Sequence, residues 1–273
     1  YYQTSDFDVA HITAHAGTGG QGTAAVGTTY IKDAAGAGEL RVDSHGTLTA
    51  LWTPLGLLSE SSFVVDRLVL AGAGVVAAPA KEMPIQANEV FILNGAVLTH
   101  RATTTAQDYS LRMDVTERLW IDAASRIDVS ARGYTDNRTL GNTTTGGATG
   151  GSGGSYGGLG RDARSGTANW TYGDYRNPNE LGSGGAGDGS SGAGSGGGLV
   201  RLTVSEAVID GAILANGGQG TYVWYEHYRG AGSGGGIRLD ADSLSGEGWI
   251  SANGGNSDGN GGGSGGGGRV AVY

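Results

Sequence analysis

The side chains with the most chemical promise lie in two aromatic islands. One holds Trp170, Tyr172 and Tyr175, the other Tyr222, Trp224, Tyr225 and Tyr228. Rings beside polar groups stack on sugar faces or anchor a protein partner. The plainer expectation is that they cover neighbouring glycine backbone, filling grooves that no side chain occupies. His11 and His15 are four residues apart, a metal-pair spacing on a helix, but no third ligand accompanies them and they read as surface histidines. Asp122 with Asp128, and Asp240 with Asp242, offer paired carboxylates of the kind that cleave glycosides. Alternating aspartates on exposed strand faces are the commoner explanation. No cluster of acids with Arg or Lys suggests a lyase, so the sequence assigns no catalytic residue and the chain reads as a non-enzyme.

Calcium is the one cofactor left open, through Asp188 and Asp258 in glycine turns. Three Asn-X-Ser/Thr sequons, at Asn137, Asn142 and Asn169, are candidate glycosylation sites. Glycine-rich phosphate motifs are no guide here, because 56 glycines in 273 residues make chance matches inevitable. Only 4 prolines and no Gly-X-Y period exclude collagen. A net charge of −9 argues against nucleic acid. Without cysteine there is neither a disulfide scaffold nor thiol chemistry. No apolar run is long enough to insert into a membrane.

The elements that would carry these residues are short strands. Phe7–Ala14 and Thr28–Asp33 alternate like strands. Strand pairs follow at Glu39–Leu51, Phe63–Ala77, Ile85–Thr99 and Leu111–Val129, each turning at a Gly or polar corner such as Asn94-Gly95. Helix periodicity is poor, and Val115–Ala124, its best instance, fits the strand repeat better. The segments Leu111–Val115, Val200–Val204, Ile237–Ala241 and Val270–Val272 repeat one pattern, apolar residues alternating with Arg, Asp or Thr. A second short strand follows the first three.

One such coil cannot bury its inner face alone; stacked coils can. The fold expected is all-β, a right-handed parallel β-helix-like stack, with an antiparallel β-sandwich as the alternative. Residues 1–273 read as a single elongated module. Coils occupy 1–132, a Gly/Ser/Asn-rich insertion 133–198, and two further coils with the start of another 199–273. Inward positions would include Leu111, Met113, Val200, Leu202, Ile237, Leu239, Val270 and Val272. Arg112 with Asp114, and Arg238 with Asp240, would form exposed ladders. The glycine runs are either flexible loops or packed three-residue (polyglycine II) helices bonded side by side.

The block from YGDYRNPNELGSGGAG through SGGGLVRLTVSEAVIDGAILANGG and GSGGGIRLDADSLSGEGWISANGG to GRVAVY resembles a glycine-rich repeat module of very large secreted and cell-surface proteins. The aromatic insert 221–229 departs from that pattern. The resemblance implies an extracellular β-helical module with no catalytic residues. In such proteins GRVAVY runs on into a Tyr-rich segment, and this chain starts at Tyr1-Tyr2. The expectation is therefore one unit of a head-to-tail array or filament, structural or adhesive, whose partners are further copies of itself. A carbohydrate-binding or carbohydrate-active protein acting on cell-surface polysaccharide is the alternative.

Overall fold

The computed structural model describes residues 6–32, 34, 36–49, 51–163, 165–187, 192–221, 229–257 and 261–273. Among them there is no α-helix, and apart from the β1–β2 pair the strands lie in two largely parallel sheets. Five strands come first: β1 (Thr18–Gly19), β2 (Gly22–Thr23), β3 (Thr29–Ile31), β4 (Glu39–Asp43) and β5 (Thr53–Leu55). The rest alternate long and short. The long ones are β6 (Phe63–Ala71), β8 (Ile85–Leu93), β10 (Leu111–Ile121), β12 (Leu199–Ile209), β14 (Gly236–Ser245) and the final β16 (Arg269–Val272). The short ones are β7 (Val76–Pro79), β9 (Val97–Leu98), β11 (Arg126–Asp128), β13 (Ala212–Leu214) and β15 (Trp249–Ser251).

Even-numbered strands from β4 to β16 stack in one sheet, with β3 added at its end. Odd-numbered strands from β5 to β15 stack in the other. Every neighbouring pair is parallel except β1 with β2 and β3 with β4. The antiparallel sandwich is therefore not what forms. Repeats that restart in the same phase align strands of one direction, and the register shows it. Phe63, Ile85, Met113, Leu202, Leu239 and Val272 stand in one column. Val42, Leu70, Ile92, Ile121 and Ile209 stand in another. These columns form one continuous core that reaches from Val26 to Ala252.

The predicted inward residues Leu111, Met113, Val200, Leu202, Ile237 and Leu239 are buried. Val270 and Val272 lie in the same columns but are exposed, because nothing among the described residues covers the last rung. The N-terminal strand expected at Phe7–Ala14 does not form. A 3₁₀ turn, Val9–His11, takes its place, and His11 N bonds Asp8 O at 3.0 Å.

The long strands β6, β8, β12 and β14 each bend once, at Asp66, Asn88, Ser205 and Asp242, where alternation restarts one residue later, and β10 has two residues at that level, Thr116-Glu117, as a bulge. In β6 the positions that join the core run Phe63, Val65, then Leu68 and Leu70. The polar bend residue points away from the core at each level. A second turn separates the sheets. There Asn94 (φ 56°) and Gly95 (φ 87°) are left-handed, and Asp122 Oδ2 and Ser125 Oγ of the next rung accept their N–H groups at 2.6 and 3.0 Å.

The glycine segments form no regular sheet, yet their backbones bond to each other in a fixed order. In the buried run 230–235, successive N–H groups donate to three neighbours in turn. Gly230 and Ser233 reach Ala186 and Ser183. Ala231 and Gly234 reach Gly263 and Gly266. Gly232 and Gly235 reach Gly218 and Ala215. All six bonds are 2.7–2.9 Å. The same step of three joins Tyr134 and Asn137 to Gly182 and Gly185, and Gly217 and Gly220 to Asn253 and Asn256. Residues 133–198 thus leave the stack between β11 and β12 and return to it as part of this bundle. The glycines are required by spacing: a Cβ on Gly197, Gly232 or Gly265 would collide with a neighbouring carbonyl.

Candidate functional site

The insertion sends one strap, residues 168–181, across the bundle and onto the long sheet. Its first anchor is Asn169, 4% exposed. The Asn169 Oδ1 accepts Ser155 N at 2.7 Å. The two hydrogens on its Nδ2 face four acceptors: Trp170 O, Ser155 O, Ser183 Oγ and Thr139 Oγ1, at 2.9–3.2 Å. Thr139 Oγ1 and Ser183 Oγ are 2.9 Å apart, and Ser183 N donates to Ser233 Oγ at 2.9 Å. Buried polar atoms are costly unless paired, and here each serves two or three partners.

Tyr172 is the second anchor. Its hydroxyl donates to Leu181 O at 2.6 Å and lies 3.0 Å from Ser183 Oγ, and its ring packs against Tyr134, Leu181 and Leu199. Burial raises the Tyr172 hydroxyl well above the usual tyrosine value. Tyr156, fully buried, sits 4.9 Å from the Tyr172 ring and donates to Glu180 Oε2 at 3.0 Å. Burial, and then the Glu180 charge, push the Tyr156 phenol upward as well.

The third anchor is Asn177-Pro178-Asn179. Arg112, Arg201 and Arg238 occupy one register position on β10, β12 and β14, so like charges stand side by side. The strap supplies acceptors. Asn177 Oδ1 takes Arg201 and Arg238, at 2.9 and 2.7 Å. Pro178 O takes Arg201 at 2.7 Å, and Asn179 Oδ1 takes Arg112 at 3.1 Å. The ladder expected between Arg238 and Asp240 forms, at 2.7 Å. The one expected between Arg112 and Asp114 does not, because Arg112 turns to the strap. Burial first, then its two arginine neighbours, lower the Arg201 pKa.

The sequence-predicted residues therefore divide. Tyr172 is structural filling; Trp170 and Tyr175, 82% and 62% exposed, project outward. Trp170 borders a groove of about 710 Å³ with Leu159, Arg161 and Asp162. Tyr222, Trp224, Tyr225, Tyr228, Asp188 and Asp258 lie outside the described residues. Asn169 does not suit a glycan, since its amide is enclosed and fully engaged. Asn142 spends its Nδ2 on Thr104 O and Asp108 Oδ1, both at 2.8 Å. Asn137 is half-buried, at φ 60°.

Asp122 and Asp128 hold backbone N–H groups at corners, and Asp128 also meets Arg126 at 3.2 Å. Asp240 is committed to Arg238, which lowers its pKa. His11 and His15 are exposed and do not pair; His15 contacts the His45 ring at 4.7 Å instead. Among the described residues no three His, Cys, Asp or Glu side chains are grouped to hold a metal ion, and no helix is long and apolar enough to cross a membrane.

Sequence reasoning missed Tyr156, Ser183 and the Asn177-Pro178-Asn179 acceptors. The three arginines at equivalent repeat positions were the signal for the last of these, since a like-charge column demands acceptors. The chain matches no family model, no curated protein and no solved structure.

Proposed function

We propose that this chain is a structural and adhesive β-helical module of the cell exterior, built to stack end to end. In this reading the two sheets are successive walls of a parallel β-helix. It is right-handed, as crossovers between parallel strands of one sheet nearly always are. The glycine runs form a polyglycine II bundle beside it. The observation that carries the proposal is the last rung. Val270 and Val272 bring two core columns to β16 and leave them 43% and 45% exposed. The opposite end of that sheet finishes in the short antiparallel β3. An exposed strand with apolar columns templates a further strand, whether from more of the same chain or from a second copy. The extracellular setting rests on the resemblance of the strand and glycine block to modules of secreted proteins.

Light scattering over a wide concentration range, with electron microscopy of the same samples, tests the assembly. End-to-end rods that Val270→Lys with Val272→Lys abolish support it. Compact monomers at every concentration overturn assembly between copies.

A further inference from the structure

The outward side of the short-strand sheet carries a hollow unrelated to the strap. It encloses about 330 Å³ between Trp52, Thr99, His100, Arg101 and Arg132. Across Arg132 it continues into a shallower hollow of about 220 Å³ beside Arg126 and Asp128. In a chain of net charge −9, two arginines facing one cavity without an acid between them call for an account.

Arg132 has no hydrogen-bond partner for its guanidinium among the described residues, and burial lowers its pKa. Asp128, the acid whose charge reaches it, is already engaged by Arg126 at 3.2 Å and Ser130 N at 3.0 Å. Arg101 is held by rings: its guanidinium carbon lies 4.9 Å from the Tyr109 centroid and 6.0 Å from that of Trp52. Among the described residues its guanidinium makes one long hydrogen bond, 3.4 Å, to Ala80 O. Most of the donors on two rigidly placed forks are thus unspent.

His100 fixes the arrangement without competing for the anion. Its Nδ1 donates to Arg101 O at 2.7 Å, which sets the Arg101 backbone. Its Nε2 is buried without a partner against Gly198, where a Cβ would collide with it. His100 is a positioning residue, not a ligand contact.

We infer that this hollow is a binding site for a carboxylate-bearing sugar, one uronate residue of an anionic glycan. The Arg101 and Arg132 forks take the carboxylate, and the Trp52 indole with Ala78 and Ala102 lines an apolar wall for the ring. A volume near the lower end for small-ligand sites suits a single ring. The continuing hollow at Arg126 receives the next residue. A bare phosphate would use the arginines and leave the indole idle. The site lies within one module, so it stands or falls independently of end-to-end assembly.

The intact protein is titrated by calorimetry with trigalacturonate, with neutral galactotriose and with inorganic phosphate. Trigalacturonate is expected to bind at least about tenfold more tightly than either control. Arg132→Gln should weaken it about 10- to 100-fold, the range for losing charge-assisted hydrogen bonds. Trp52→Ala should weaken trigalacturonate more than phosphate, because phosphate loses only one of the two rings that hold Arg101 while the uronate also loses its apolar wall. Arg118→Gln, on the long sheet beside Glu206, should change nothing. Thermal midpoints report whether each variant folds; if Arg132→Gln does not, the unmodified protein's ranking of the three probes decides. Equal binding of the neutral trisaccharide, phosphate binding as tight as the uronate, or no binding of trigalacturonate overturns the assignment.

Discussion

Replacing Gly232 by Ala tests the idea that the glycine bundle is ordered structure. Gly232 is buried, donates to Gly218 O at 2.9 Å and accepts Gly255 N at 2.9 Å. A Cβ there would lie far inside the contact distance of Ser195 O, the atom that accepts Gly218 N at 2.7 Å. The runs 194–198 and 230–235 would have to part by about 1 Å before that contact became ordinary. They are tied by Gly194 to Gly230 O and Gly197 to Ser233 O, at 2.9 and 2.8 Å. Parting them breaks or stretches those two bonds and the Gly218 bond.

Each bond is worth about 1 kcal/mol net, and each buried group left unpaired costs about 1–3 kcal/mol. The expected loss is about 3–6 kcal/mol, against a total stability of about 5–15 kcal/mol for a domain. Gly267 is the control: nothing lies within 4 Å of its Cβ position. Gly267→Ala should be neutral, or stabilise by up to about 1 kcal/mol through the unfolded chain. Urea unfolding at constant slope measures both, and hydrogen exchange at the Gly197 and Gly218 amides reports the local opening. A Gly232→Ala midpoint equal to that of Gly267→Ala would refute the reasoning, because disordered loops tolerate a methyl anywhere.

Further predictions concern single side chains. Asn169→Ala should destabilise by about 3 kcal/mol in the same urea assay, since it orphans Ser155 N and several buried acceptors. Trp170→Ala should stay within about 0.5 kcal/mol, because the ring is exposed. His100 is held down to about 4 from 6.5, by burial first and then by the Arg132 charge, against the Arg101 bond. Its folded pKa is the lower one, so between pH 6.5 and 4 the unfolded chain takes up a proton that the native state refuses. Stability should therefore fall as pH drops through that window, by about 3 kcal/mol in all. His100→Asn, whose amide can still donate to Arg101 O, should remove that part of the slope in pH-dependent unfolding.

The rungs were legible because their signal is local. Leu111–Val115, Val200–Val204 and Ile237–Ala241 carry the same alternation, and in-phase repeats pair with themselves. The corners were legible for the same reason, since Asn94-Gly95 marks a left-handed turn in any context. The bend at Asp66, Asn88 and Ser205 was hidden: a restart of alternation looks like an ordinary polar residue until a neighbouring rung shows the phase. The glycine bundle was legible only as a choice between two states. Its bonds join residues such as Ser183 and Ser233, 50 apart, and glycine offers no side-chain pattern from which to read the partner. Asn169 misled because a sequon describes three residues and says nothing about burial.

The bundle and the stack solve one physical problem in complementary ways. Stacked rungs satisfy backbone groups in one direction and fill the interior with side chains. That requires apolar residues, and residues 133–198 hold few. A polar, glycine-rich segment cannot gain enough from apolar burial to offset its conformational entropy. It can be ordered if every N–H finds a carbonyl in a lattice so close that water is excluded, and only glycine permits that approach. The serine, threonine and asparagine side chains at its centre are then no loss, because Ser183, Ser233, Thr139 and Asn169 bond one another and the lattice. The strap completes the arrangement by joining lattice to rungs. Asn169 is seated in the glycines, and Asn177 and Asn179 on the arginines of three successive long strands. Cutting that connection, by Asn177→Ala with Asn179→Ala, should leave three adjacent arginines without these acceptors. The destabilisation should then shrink as salt is added, because screening weakens their mutual repulsion. A loss independent of salt would mean that the strap holds the sheet by packing, and that the arginine column needs no neutral partner.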